Sequence, residues 1–446
     1  MAKVYIVHSI DTEGPLYEPL DATFQRLEDL FEVRGLEPTR ENLGKLQRQE
    51  LAIPNAGKIA EALNGHLLNY NDTWDKIDTL LTELMTDEFR RDLTDSRDRG
   101  WVFNWHCLDH IGFKTNPRRR AMGFHVVFDH YREFLSEYPD CPDAIHWHFH
   151  PISTYREAHR CATHYLRTPE IYEHLARRII ERDWFPAVFR AGFQTERPDI
   201  HLFLEQFIPF DISNMAMDDN TELDLSTDFR NGRSGDWRKA PADWSVYHPS
   251  HDDYQISGNC RRWIGRALNV MNRIASIDQR EMNKAFSRAA AGKNALVGIA
   301  SHDFRDLSAE VDFIRNLIRQ STSKYPDVEF EFCEAVEGFQ KAAKIGLGEP
   351  LQLELIFHPG SAQDVPFIEI KTKSGLVFGP QPFLAIQTKS NVFLHDNLDF
   401  SQDGTTWFYA FHGDTLPLED VACIGVAAND AFGHQSIRKI HAEELQ

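Results

Sequence analysis

Near its start the chain reads Val4-Tyr-Ile-Val7-His-Ser-Ile10 and runs directly into Asp11-Thr-Glu13-Gly14. A short apolar run with no polar alternation, stopped by a glycine, suits a strand buried on both faces. Such strands belong to parallel sheets covered by helices. Two carboxylates directly after the strand are then placed where a parallel sheet presents its chemistry, since ligands bind outside the carboxyl ends of such strands.

The same pattern recurs downstream. Strand-like runs occupy Trp101–Asp109, His146–His150, Trp184–Arg190, Ala295–His302 and Val328–Phe332. Helical spacing separates them: Ile77, Leu80, Leu81 and Leu84, then Val127, His130, Tyr131 and Phe134, then Ile171, Leu175 and Ile179, and a stretch near Val311–Ile318. A further helix is predicted around Trp263–Ile274 and a long polar excursion over 214–258. Strands alternating with helices predict an α/β fold with a parallel sheet inside a helical layer. Residues of about 15–100 read as a helical insertion.

Around Gly346-Leu-Gly348-Glu-Pro350 the pattern changes to short alternating runs separated by Gly, Pro, Asn and Asp. This predicts an antiparallel β-sandwich over 346–446 after an α/β region over 1–345. Phe393, Phe400, Trp407 and Tyr409 read as its core rather than as a sugar platform.

With 68 acidic against 48 basic residues the formal charge is −20. That excludes bulk attraction to nucleic acid or an anionic membrane. No window has the ~18 consecutive apolar residues of a membrane helix, so no membrane insertion is expected. Val4–Val7 is too short for a secretory core and reads as a strand of the mature protein. Six cysteines without close pairs suggest neither a disulfide framework nor a cysteine zinc site, and point to a reducing cytoplasm.

Four strand ends carry polar groups: Asp11 and Glu13; His146, His148 and His150; Arg190; and Ser301-His302-Asp303. One isolated polar strand end is ordinary, whereas four predict a shared pocket. Carboxylates with imidazoles suit a borderline cation such as zinc. Alternation puts all three histidines of 146–150 on one face, so spacing alone leaves open which two bind.

Taken together, the Asp-x-Glu-Gly segment, the His-x-x-x-His-Pro segment, Phe189-Arg190-Ala-Gly192 and Ser301-His302-Asp-Phe304 resemble the polysaccharide deacetylase superfamily, the chitooligosaccharide deacetylase homology domain of carbohydrate esterase type. The resemblance spans residue 3 to about 340 and implies a distorted (β/α) barrel. It implies Asp11 as general base, Glu13 with His146 and His150 as ligands of a divalent metal (zinc being the expected one), Arg190 orienting the base and a protonated His302 as general acid. Thr12 stands where many members carry the metal-binding Asp, and Trp147 where a Ser or Thr is frequent. Asp211 matches an Asp-Ser segment that follows the arginine.

The expected activity is removal of an acetyl group from an N-acetylated sugar or surface-glycan precursor. His148, Trp105, Asp109 and Asp211 are the expected carbohydrate contacts, and Arg118–Arg120 reads as a solvated basic turn. Hydrolysis of a small non-sugar amide or cyclic imide is one alternative, and a catalytically inactive carbohydrate-binding protein another. A homo-oligomer is compatible with the sequence, with the sandwich serving glycan binding, a subunit interface or support of the barrel.

Overall fold

The computed structural model describes residues 2–157, 162, 164–219, 235–272, 274–361 and 364–444. Eight parallel strands form the first sheet: β1 (Val4–Thr12), β2 (Phe103–Cys107), β3 (Ala144–Phe149), β4 (Val188–Ala191), β5 (Phe210–Asn214), β6 (Trp263–Asn269), β7 (Ala295–His302) and β8 (Phe330–Phe332). β1 pairs with β7 along its length and, through His8–Thr12, with β2. Those pairings close seven strands into a barrel surrounded by helices. β8 sits below β2, beside the first residues of β1.

β1 is buried at every position, which accounts for its unbroken apolar reading. Each strand contributes inward and outward residues in alternation. Ile10 and Val4 lie in a core with Trp105, Tyr131 and Leu268, while Tyr5 and Val7 join a second one with Phe210 and Phe339. The helices expected at 126, 171 and 311 are present as Val126–Ser136, Glu170–Arg182 and Leu307–Lys324. Between β1 and β2 the chain makes six helices, from Leu20–Phe31 to Asp87–Arg91.

The stretch expected to be helical at 263–274 is instead β6, and 210–214, to which the sequence reading assigned no strand, is β5. Ile264, Ala267 and Leu268 are fully buried, so β6 faces core on both sides and loses the alternation that marks an exposed strand. Gly265 admits the ring of Phe339: a Cβ there would lie 2.8 Å from its Cζ. Tertiary packing overrides local spacing here.

Beyond the last barrel helix, Ala335–Ala343, two antiparallel four-stranded sheets follow. One orders β13 (Asp399–Phe400), β14 (Thr406–Ala410), β10 (Phe367–Ser374) and β9 (Gln352–His358). The other orders β12 (Phe393–Asp396), β11 (Phe383–Thr388), β15 (Val421–Asn429) and β16 (Gln435–His441). Leu353, Ile370 and Trp407 of the first share one core with Ile386 and Ile424 of the second, which makes the pair a sandwich. Phe400 is exposed, unlike Phe393, Trp407 and Tyr409. The second sheet also packs on the barrel: Phe383 and Phe393 join Ile179 and Phe207, and Asn429 donates to the carbonyls of Pro186 and Phe207 at 2.8 and 2.9 Å. No helix among the described residues is long and apolar enough to cross a membrane, and the described cysteines are all free.

Candidate metal centre

Asp11, Arg190 and His302 stand at the carboxyl ends of β1, β4 and β7, and Glu13 follows just beyond β1. The Nε of Arg190 donates to Asp11 Oδ1 at 2.5 Å, while a second guanidinium nitrogen donates to the Ile212 carbonyl at 2.9 Å. His302 Nε2 lies 3.8 Å from the other oxygen of Asp11. Burial works against ionisation of Asp11, but the charge and hydrogen bond of Arg190 outweigh it and hold the carboxyl below its ordinary range. Burial pushes His302 down to about 3 despite the facing Asp11, which favours the neutral ring.

Glu13 is held from two directions. The carboxylate of Asp303 accepts from the backbone N–H of Glu13 at 3.0 Å and of Gly14 at 2.7 Å, and from the Tyr131 hydroxyl at 3.0 Å. Burial nevertheless pushes the Asp303 carboxyl up to about 7. Gly14 has φ +72°, a conformation that suits glycine, and a Cβ there would meet Trp74 at 3.0 Å. Glu13 Oε2 pairs with Arg120 at 2.5 Å, and its Oε1 lies 3.7 Å from His150 Nε2.

His148 and His150 complete the group. The Nδ1 of His148 lies 2.9 Å from the carbonyl of Arg190. A carbonyl only accepts, so Nδ1 carries the proton and Nε2 presents its lone pair. That Nε2 faces the Nε2 of His150 at 2.9 Å. Two ring nitrogens at this separation share a proton or a cation. Burial first, then the neighbouring His148, hold His150 well below the usual imidazole range, which keeps it in the form that ligates. Ligand atoms of Glu13, His148 and His150 all lie within 4.8 Å of one another, and all three residues are buried. One carboxylate and two imidazoles, one of them fixed by a backbone carbonyl, fit a zinc-type cation.

No family model, curated protein or solved structure matches this chain. What the site can do is therefore read from its geometry.

That geometry moves one of the expected ligands. His146, expected as the partner of His150, lies outside the group. It is two residues deeper in the barrel, where its Nε2 meets Asn104 Oδ1 at 3.1 Å and Glu334 Oε1 at 3.0 Å. A strand rises about 3.3 Å per residue, so His148 rather than His146 reaches the level of Glu13.

Three expected substrate contacts are buried and partnered within the protein. Trp105 is fully buried and donates to Asp143 at 3.1 Å. Asp109 is ion-paired to buried Arg178 and accepts from the Val127 backbone, at the start of helix Val126–Ser136. Asp211 accepts from the Ser213 backbone at 2.9 Å and pairs with Arg262 at 2.7 Å.

The group forms the floor of a cavity of about 920 Å³. Leu27, Leu30, Leu63 and Tyr70 of the helical insertion line it, as does Phe193, whose ring centroid lies 4.7 Å from that of His150. Arg118 and Arg120, read from sequence as a solvated turn, point into this cavity. Their signal was present in the sequence, as three consecutive arginines after Asn116-Pro117, but nothing local told inward from outward.

Proposed function

We propose that the chain is a metal-dependent hydrolase that cleaves an acyl group, acetate first among candidates, from an N-acylated small molecule such as an N-acetylated sugar. The observation that carries this reading is the Glu13–His148–His150 group set beside the Asp11–Arg190 pair at one barrel mouth. A bound zinc-type ion would supply Lewis acidity toward the acyl carbonyl and lower the pKa of a ligated water from 15.7 to about 7.

The chain's own residues would do the rest. Asp11, kept ionised and oriented by Arg190, accepts a proton from the attacking water. His302, neutral at rest and facing Asp11, takes that proton over and delivers it to the departing amine. Neutral His302 suits a relay better than a standing acid. Leu27, Leu30 and Leu63 shield the reacting bond from bulk water.

A cavity of about 920 Å³ lies within the range of pockets that enclose a small ligand, ~300–1,000 Å³. A wall made by the insertion supports a compact substrate over a polymer lying in an open groove. The same observation favours, as second reading, a small non-sugar amide or cyclic imide on the same machinery.

Elemental analysis of the purified full-length protein, paired with acetate release from a panel of N-acetylated sugars and small amides, tests the proposal. About one zinc-type ion per chain and metal-dependent acetate release are expected. A protein that takes up no divalent ion at this site would overturn it.

A further inference from the structure

We infer that the cavity takes a substrate bearing an oxyanion, a carboxylate or a phosphate, bound by Arg305 and Arg167. The inference rests on the hydrolase reading above, because it names the kind of molecule that would lie over that centre.

Six arginines line the cavity, Arg26, Arg118, Arg120, Arg156, Arg167 and Arg305, against four carboxylates, Asp11, Glu13, Glu18 and Asp29. This excess of cations occurs in a chain whose formal charge is −20. Four of the arginines have anionic neighbours. Arg26 lies 2.8 Å and Arg118 3.8 Å from Glu18, Arg120 pairs with Glu13, and Arg156 pairs with Glu170 at 2.7 Å. Asp11 is matched by Arg190, which lies behind it.

Arg305 and Arg167 remain. Neither has an ion pair or side-chain hydrogen bond with a described residue, and the buried Nη1 of Arg305 has no acceptor. A buried donor without a partner is rare and costly in folded proteins. Its position adds meaning. Arg305 follows His302 by three residues, and its guanidinium and that of Arg120 lie 5.8 and 4.9 Å from the Phe304 ring centroid. An anion on Arg305 would therefore sit beside the reacting centre. The planar fork of an arginine matches carboxylate and phosphate oxygens in pairs. A strongly acidic protein repels such ligands at long range, so local unpaired guanidiniums are what would draw one in.

Calorimetric titration of the full-length chain in EDTA, with inorganic phosphate, with glucuronate and with neutral N-acetylglucosamine, tests this without the metal. The wild type should bind phosphate or glucuronate more tightly than the neutral sugar, and the stronger of the two identifies the oxyanion. Arg305→Met should weaken that binding at least about tenfold, the loss of a charge-assisted pair, with Arg305→Lys in between. Arg167→Ala, at an exposed position, supplies a second variant and should also weaken it. Anion binding absent from the wild type, or unchanged in both Arg305→Met and Arg167→Ala, overturns the inference. Zinc titration of the same preparations separates the two claims. Anion binding without zinc uptake supports the anion site and defeats the hydrolase, and zinc uptake without anion binding does the reverse.

Discussion

A Cβ placed on Gly192 would lie 2.1 Å from the Cδ2 of His150. The residue after β4 thus sets how closely the end of β3 can approach, and through it where the His150 ring stands. Gly192→Ala should push His150 away from His148 and Glu13. We expect zinc affinity to fall by about tenfold or more, the scale seen when a ligand's supporting shell is disturbed, with the fold retained. Zinc titration with circular dichroism as a control checks both halves.

The choice between His146 and His148 is equally open to test. His148→Ala and His150→Ala should each abolish tight zinc binding, because each removes one of the three proposed protein ligands. His146→Ala should bind zinc like the wild type but lose stability, since it leaves Asn104 and Glu334 with a buried gap. Competition with a chromophoric chelator distinguishes the two. Loss of zinc in His146→Ala with retention in His148→Ala would reverse the assignment.

The barrel was legible where a strand is apolar throughout and ends in charge, as at Val4–Glu13 and Ala295–His302. It was not legible at β6, whose Gly265 and double-sided burial reflect Phe339 and Leu296, residues far along the chain. Asp11, Glu13, Arg190 and His150 could be picked out because polar residues at strand ends are conspicuous. The depth of a residue within the barrel could not, because His146 and His148 share one face and differ only by a strand rise of two residues. Arg305 escaped notice for a related reason: its lack of a partner is a property of the assembled cavity.

Asp11→Asn keeps the shape of the side chain and removes the proposed base. It should slow acetate release by about 10²–10⁴-fold, the usual worth of a positioned general base, while zinc content stays at the wild-type level. Turnover assays beside elemental analysis read this directly. Equal turnover would remove Asp11 from the chemistry.

Asp109 was expected to touch substrate, but it is buried and paired with Arg178. Asp109→Ala leaves that guanidinium uncompensated in the interior and frees the start of helix Val126–Ser136. The loss should appear as stability, about 3–5 kcal/mol for breaking a buried pair, in urea unfolding. A variant with wild-type stability and only a raised KM would return Asp109 to the substrate site.

Glu331, on β8, faces four cations: Lys3 at 2.8 Å, Arg97 at 3.0 Å, Arg99 at 3.4 Å and Lys341 at 2.7 Å. Burial opposes its charge, but Lys3 and Lys341 outweigh that and hold the carboxyl down at about 2. A carboxyl depressed on folding stabilises the native state above its unfolded pKa of ~4.3. That contribution fades as pH falls toward about 2, because protonation then favours the unfolded chain. Glu331→Gln should therefore melt a few degrees below the wild type at pH 7, and the gap should narrow steadily between pH 4.5 and about 2. Other carboxyls titrate in both proteins, so the difference between the two melting curves is the quantity that isolates Glu331. A gap that stays constant with pH would mean that packing, and not charge, is what Glu331 contributes.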